Sequence, residues 1–119
     1  MTDINERVFQ FACRIVLFHQ WLARQRTSAR LLAGQLLRSS TSIGSNLEEA
    51  TAGQSKADFV AKARISLKEA RESHYWLRIL ENTRLVPESR VSDLVKEANE
   101  IVAILTTIVR KASMSGNRG

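Results

Sequence analysis

The chain is 119 residues long, 44% hydrophobic and 25% charged, which fits one globular domain and rules out disorder throughout. With 5 Gly and 1 Pro it has too few turn residues for a many-stranded β fold, and 1 Cys excludes an internal disulfide and a CxxC metal or redox centre. Lys and Arg number 18 against 12 Asp and Glu, a formal charge of +6, and residues 7–47 contain no acid.

That acid-free stretch carries Arg7, Arg14, Arg24, Arg26, Arg30 and Arg38. Its positive field suits a polyanion: nucleic acid, an acidic protein face or anionic lipid. Ordinary surface charge that keeps a small protein soluble is the plainer alternative. The N-terminus is acidic and lacks a signal-peptide pattern, and no run reaches the ~18 apolar residues of a membrane span. A cytoplasmic protein with no membrane contact is expected.

Apolar residues recur at helical spacing in four segments. The first, about Ile4 to Ala23, carries Val8, Phe11, Ala12, Ile15, Phe18, His19 and Leu22, and Phe9 and Val16 widen its apolar face enough to suggest more than one neighbour. Cys13 lies in this stretch and is expected to pack as a small hydrophobe. After a break at Arg24 to Ser28, Thr27 or Ser28 can cap a second helix with Leu31, Leu32, Leu36, Ile43, Leu47 and Ala50. Its middle, Ser39 to Asn46, is rich in small polar residues that form helices poorly. Either it is a loop, or it is helix where a neighbour approaches closely. The periodicity continues through Ile43 and Leu47, which favours a continuous or kinked helix.

Gly53 is expected to end this helix as a left-handed terminator. Ser55-Lys56-Ala57-Asp58 then has the form of a capping box. The third helix lines up Phe59, Val60, Ala63, Leu67, Ala70, His74, Leu77 and Leu80, and Pro87 can open the fourth, which carries Val91, Leu94, Val95, Ala98, Ile101, Val102, Leu105, Ile108 and Ala112. Short loops between long helices predict an all-α, antiparallel up-down-up-down four-helix bundle over residues 1–112, with 113–119 as a disordered tail.

Ser42-Ile43-Gly44-Ser45-Asn46-Leu47-Glu48-Glu49-Ala50, followed by Gly53-Gln54-Ser55-Lys56-Ala57-Asp58-Phe59, resembles the signature of a bacterial four-helix-bundle family, the 23S ribosomal RNA intervening-sequence proteins. That signature reads approximately S-I-x-x-N-I-x-E-G and G-x-x-S-x-x-E-F; Ala50 stands where Gly is usual and Asp58 where Glu is usual. Lys68-Glu69-Ala70-Arg71-Glu72-Ser73-His74-Tyr75-Trp76-Leu77 looks like a third-helix motif of the same family. The family implies a fold and no activity. A related group, the accessory variability proteins of diversity-generating retroelements, forms basic pentameric barrels that bind nucleic acid and a reverse transcriptase. By that similarity a homopentamer or a comparable ring is implied.

Asn46 with Glu49 and Glu69 with Ser73 are i,i+3 and i,i+4 pairs, each on one helix face. Packed together they would form a polar cluster that fixes register or a subunit joint. Glu49 or Glu69 in acid/base chemistry, as in a small hydrolase, is the alternative. His19 and His74 sit at apolar-face positions, and with one Cys they supply no three- or four-ligand metal set. Ser73 and His74 are adjacent and diverge on a helix, and no phosphate-loop, dinucleotide or nucleophile-elbow motif is present. No enzyme activity, cofactor or metal is expected.

Arg64, Lys68, Arg71, Tyr75 and Arg78 follow i, i+4, i+7, i+11, i+14 and form one stripe of four cations with an aromatic among them. Such a stripe can neutralise phosphates while Tyr75 stacks on an exposed base. A merely solvated face, muted by Glu69 and Glu72, is the competing account. Arg7, Arg14, Arg30 and Arg38 are expected to extend the patch. Trp21, Tyr75 and Trp76 serve either as packing anchors between subunits or as stacking platforms. The expected function is a non-enzymatic oligomer that binds structured RNA or DNA through phosphate contacts. The alternative is a scaffold docking an acidic protein such as a polymerase.

Overall fold

The computed structural model describes residues 3–116, which form four helices joined by short turns: α1 (Ile4–Leu22), α2 (Ser28–Thr51), α3 (Lys56–Asn82) and α4 (Glu88–Gly116). There is no strand among the described residues. Asp3, Thr27 and Ser55 cap α1, α2 and α3: their side-chain oxygens accept from the backbone N–H groups of Asn5, Ala29 and Asp58 at 3.3, 3.2 and 3.1 Å. Each satisfies a donor that the first helical turn leaves without a partner. Pro87 precedes α4, and its carbonyl accepts from the Arg90 N–H at 2.9 Å.

The core is one continuous apolar cluster. α1 contributes Val8, Phe11, Ile15, Phe18 and Leu22, and α4 contributes Val91, Leu94, Ala98, Ile101 and Leu105, all at the spacing that keeps one face inward. Each large side chain so enclosed contributes roughly 1.5–3 kcal/mol relative to exposure. α2 packs on α1 and α3, and α3 on α2 and α4. α1 touches α4 more lightly and stands diagonal to α3. Neighbours are antiparallel: Asn5 donates to Thr51 Oγ1 at 3.4 Å, Arg64 donates to Ser113 Oγ at 2.9 Å, and Arg90 lies 4.4 Å over the Trp21 ring. The bundle measures 53 × 25 × 20 Å.

α2 is continuous through Ser39 to Asn46, because its small residues meet close neighbours. Ser39 and Ser40 are fully buried against α3, and a Cβ at Gly44 would stand 3.3 Å from Val8 Cγ1 of α1. Larger residues here would push the helices apart.

Four local expectations are corrected. Gly53 is not left-handed; a Cβ there would lie 3.1 Å from the Ala50 carbonyl oxygen and 3.3 Å from Asp58 Cβ, so the turn uses its small size. The left-handed residue is Arg84, with φ 57°, just past the end of α3. Cys13 is exposed because it lies on the outer face of α1. Leu31 is 74% exposed, since Ala29, Ala33 and Leu36 take the inward positions of α2. α4 continues past Ala112 to Gly116, where Ser113 accepts the Arg64 hydrogen bond; the rest of the expected tail, 117–119, lies outside the described residues.

Candidate nucleic-acid interface

The outer face of α3 carries Arg64, Lys68, Arg71, Tyr75 and Arg78, all exposed, along about 21 Å of helix at 1.5 Å per residue. Arg64 is held by Ser113 of α4. Among the described residues, Lys68, Arg71 and Arg78 make no ion pair. Tyr75 is 55% exposed and packs edge-on against Trp76, with ring centroids 5.4 Å apart. That contact braces the tyrosine ring, and more than half of the residue remains open to solvent.

The carboxylates that flank the stripe are engaged from another helix. Arg38 of α2 donates to Glu69 Oε2 at 3.1 Å and also pairs with Glu72. Glu72 accepts a further hydrogen bond from Trp76 Nε1 at 3.1 Å. The two acids raise the Arg38 pKa, chiefly through the Glu72 hydrogen bond. Arg38 therefore partly neutralises Glu69 and Glu72, and the stripe cations are left without those partners. The same bonds remove Arg38 from its expected place as a stripe extension.

Arg7 and Arg14 do not continue the stripe. They belong to α1, diagonal to α3, so their outer faces point away from it. Arg7 forms a two-pronged pair with Glu97 of α4 at 2.8 and 2.9 Å and also pairs with Glu100. Its role is to tie the lightly packed α1–α4 seam. Arg14 is exposed on α1, and Arg30 is exposed in the first turn of α2.

Asn46, Glu49, Glu69 and Ser73 do not form one cluster. Asn46 donates back to the Ser42 carbonyl at 2.8 Å, Glu49 pairs with Lys62 at 2.8 Å, and Glu69 pairs with Arg38. Ser73 is buried and shares hydrogen bonds with Ser39 at 2.8 Å and Ser40 at 3.0 Å. Ser66 completes this set by donating to the Ile43 carbonyl at 2.8 Å. Along the α2–α3 seam, partner numbers rise on one helix as they fall on the other: Arg38 and Ser39 meet Glu72 and Ser73, Ile43 meets Ser66, and Glu49 meets Lys62. This polar ladder sets an antiparallel register; of its members, Ser73, Glu49 and Glu69 stand in the expected cluster, whereas Ser66 is not among the expected site residues and Ser39 and Ser40 are expected only as poor helix formers. The signal was present in Ser66 and Ser73, seven residues apart on one face with Ala63 and Ala70.

Trp21 is half-buried within its own chain: it stacks on Phe18 at 6.3 Å and is covered by Arg90. Burial pushes the His74 imidazole below its ordinary pKa; Arg78 acts in the same direction and Glu81 opposes both. No group of three or more potential metal ligands occurs among the described residues, and no described helix is long and apolar enough to cross a membrane. A groove of about 210 Å³ lined by Tyr75, Arg78, Ile79, Asn82 and Thr83 closes the stripe at the α3 C-terminus.

These features define a four-helix bundle with an exposed cationic face on its third helix. The profile of the 23S rRNA-intervening sequence protein family matches residues 2–107, and the chain belongs to that family. It is 36% identical, with a TM-score of 0.83, to a crystal structure of a protein of unknown function from the S23 ribosomal protein family of Bacteroides thetaiotaomicron, covering 90% of this chain and 98% of that one. No curated protein matches.

Proposed function

We propose that the protein is a non-enzymatic helical-bundle oligomer whose α3 face binds the phosphate backbone of structured RNA or DNA. The observation that carries this reading is the row Lys68, Arg71 and Arg78, without ion pairs among the described residues, beside exposed Tyr75, while the adjacent Glu69 and Glu72 are held by Arg38. Guanidinium and ammonium groups in a row neutralise phosphates irrespective of sequence, and an aromatic face among them accepts an unpaired base. Assembly is part of the proposal. Phe9 and Leu17 on the outer face of α1 are 57% and 66% exposed, with Val16 beside them, and a second copy of the chain would cover them. A homopentamer or comparable ring, as expected from the accessory variability proteins related to the family the sequence resembles, would repeat the cationic face around its circumference.

Fluorescence anisotropy of labelled hairpin RNA and duplex DNA, titrated across salt, tests the reading. Affinity is expected to fall steeply with salt, with a log–log slope of about −0.9 per duplex phosphate engaged. Replacing Arg64, Lys68, Arg71 and Arg78 together by Glu abolishes binding while thermal stability drops by no more than a few degrees. Unchanged binding in that variant removes the stripe assignment. No binding by the intact oligomer at low salt removes the nucleic-acid reading and points to an acidic protein partner.

A further inference from the structure

The stripe ends at Arg78, and the positive surface does not. In this up-down-up-down bundle the α1–α2 and α3–α4 turns lie at the same end, joined by Arg90 over the Trp21 ring at 4.4 Å. Residues 20–33 and 78–93 meet there, and they hold six arginines, Arg24, Arg26, Arg30, Arg78, Arg84 and Arg90, against three carboxylates, Glu81, Glu88 and Asp93. All six arginines are exposed, and none makes an ion pair among the described residues. Among the described residues the opposite end is nearly balanced: 3–10, 46–64 and 104–116 hold six cations, and five carboxylates in Asp3, Glu6, Glu48, Glu49 and Asp58. The charge therefore has a direction along the bundle's long axis that the linear sequence conceals, because its arginines come from two turns about 60 residues apart.

We propose that this arginine-rich end is a phosphate-binding surface continuous with the α3 stripe, so that a nucleic acid runs along α3 and over the α1–α2 and α3–α4 turns. The proposal deepens the nucleic-acid reading and rests on it. Three features favour phosphate over the carboxylates of an acidic protein. Every cation at this end is an arginine, whose planar fork pairs bidentately with phosphate oxygens and is weakly hydrated. Arg78 belongs both to the stripe and to the end, and it lines the groove with Tyr75, so the cationic track is unbroken and passes an exposed ring. Arg90 is pre-positioned by its stacking on Trp21, which reduces the ordering needed on binding. Arg84, the left-handed residue past the end of α3, lines the neighbouring groove of about 540 Å³ with Asn82, Pro87 and the carboxylates Glu81 and Glu88, so phosphate would meet it on the outer side of that groove.

The test compares two full-length variants of equal charge change. One replaces Arg26, Arg30 and Arg84 by Glu; the control replaces Arg14, Arg110 and Lys111 by Glu, away from the end. Salt-titrated anisotropy with a labelled RNA hairpin is the readout. The end variant is expected to bind at least ~10-fold more weakly near 0.1 M salt, with a slope shallower by about 0.7–0.9 per arginine engaged, while the control stays near wild type. Arginine-directed chemical footprinting of the unaltered protein supplies a readout free of folding effects: the hairpin is expected to protect Arg26, Arg30 and Arg84. Wild-type binding with those arginines unprotected, and an end variant indistinguishable from the control, overturns this proposal and leaves the α3 stripe standing. Failure of the wild type to bind at all overturns the nucleic-acid reading itself, and this proposal with it. Equal binding of polyglutamate, or of phosphatidylglycerol vesicles, in competition with the hairpin overturns nucleic acid as the occupant.

Discussion

Arg84 and His74 show what single side chains cost or contribute in this fold. Arg84 adopts φ 57°, where a Cβ crowds the backbone and glycine does not. Arg84→Gly is therefore expected to raise the unfolding free energy by roughly 0.5–1 kcal/mol, read from urea denaturation; a loss of stability would show that the arginine side chain makes compensating contacts. His74 has a pKa lowered by burial and by Arg78. Its neutral form is favoured in the folded chain, so its contribution is fully present above the unfolded value near 6.5 and is lost as pH falls through that value towards the lower folded one. Unfolding measured from pH 7.5 down to 5.5 is expected to show a larger loss for the wild type than for His74→Gln. Identical slopes would remove His74 as the source.

At the scale of the helix, α2 carries the sharpest contrast between exposed and crowded positions. Gly34 has nothing within 4 Å of where a Cβ would stand, whereas the same atom at Gly44 meets Val8 at 3.3 Å. Gly34→Ala is expected to stabilise the protein by about 0.5–1 kcal/mol through helix propensity alone, and Gly44→Leu to destabilise it by ~1–3 kcal/mol through overpacking. Differential scanning calorimetry of both variants checks the pair, and a stabilising Gly44→Leu would show that α1 is free to move away. The buried Ser39, Ser40 and Ser73 have the same logic: they let α2 and α3 approach closely and satisfy one another's hydroxyls within the seam.

The whole molecule is a bundle with polarised charge, and α1 exposes three large apolar side chains, Phe9, Val16 and Leu17. α1 buries Phe11 and Ile15 inward and leaves Phe9 and Leu17 outward. If the proposed assembly forms through this face, Phe9→Glu with Leu17→Glu is expected to convert it to a smaller species in sedimentation equilibrium while the far-ultraviolet helical signal is retained. Unchanged mass in that double variant would exclude this face as the subunit joint, and a monomeric wild type would exclude the ring.

Helix number, their order and most boundaries were readable from sequence because helical periodicity is local: Val8, Phe11, Ile15, Phe18 and Leu22 declare an inward face without reference to any other segment. The motif around Asn46, Glu49 and Phe59 likewise carried the family, which the profile match shows. Charge pairing was not readable. Arg7 meets Glu97 across 90 positions and Arg38 meets Glu69 across 31, and only the antiparallel register decides which cations are neutralised and which remain exposed. The expected cluster of Asn46, Glu49, Glu69 and Ser73 failed for the same reason: helix spacing says which residues share a face, but not how far one helix slides along its neighbour. The α3 stripe was visible as a pattern on one helix. Its separation from Arg7 and Arg14, and the gathering of six arginines at one end, came from the packing of four helices, because position in space depends on chain direction as well as on sequence distance.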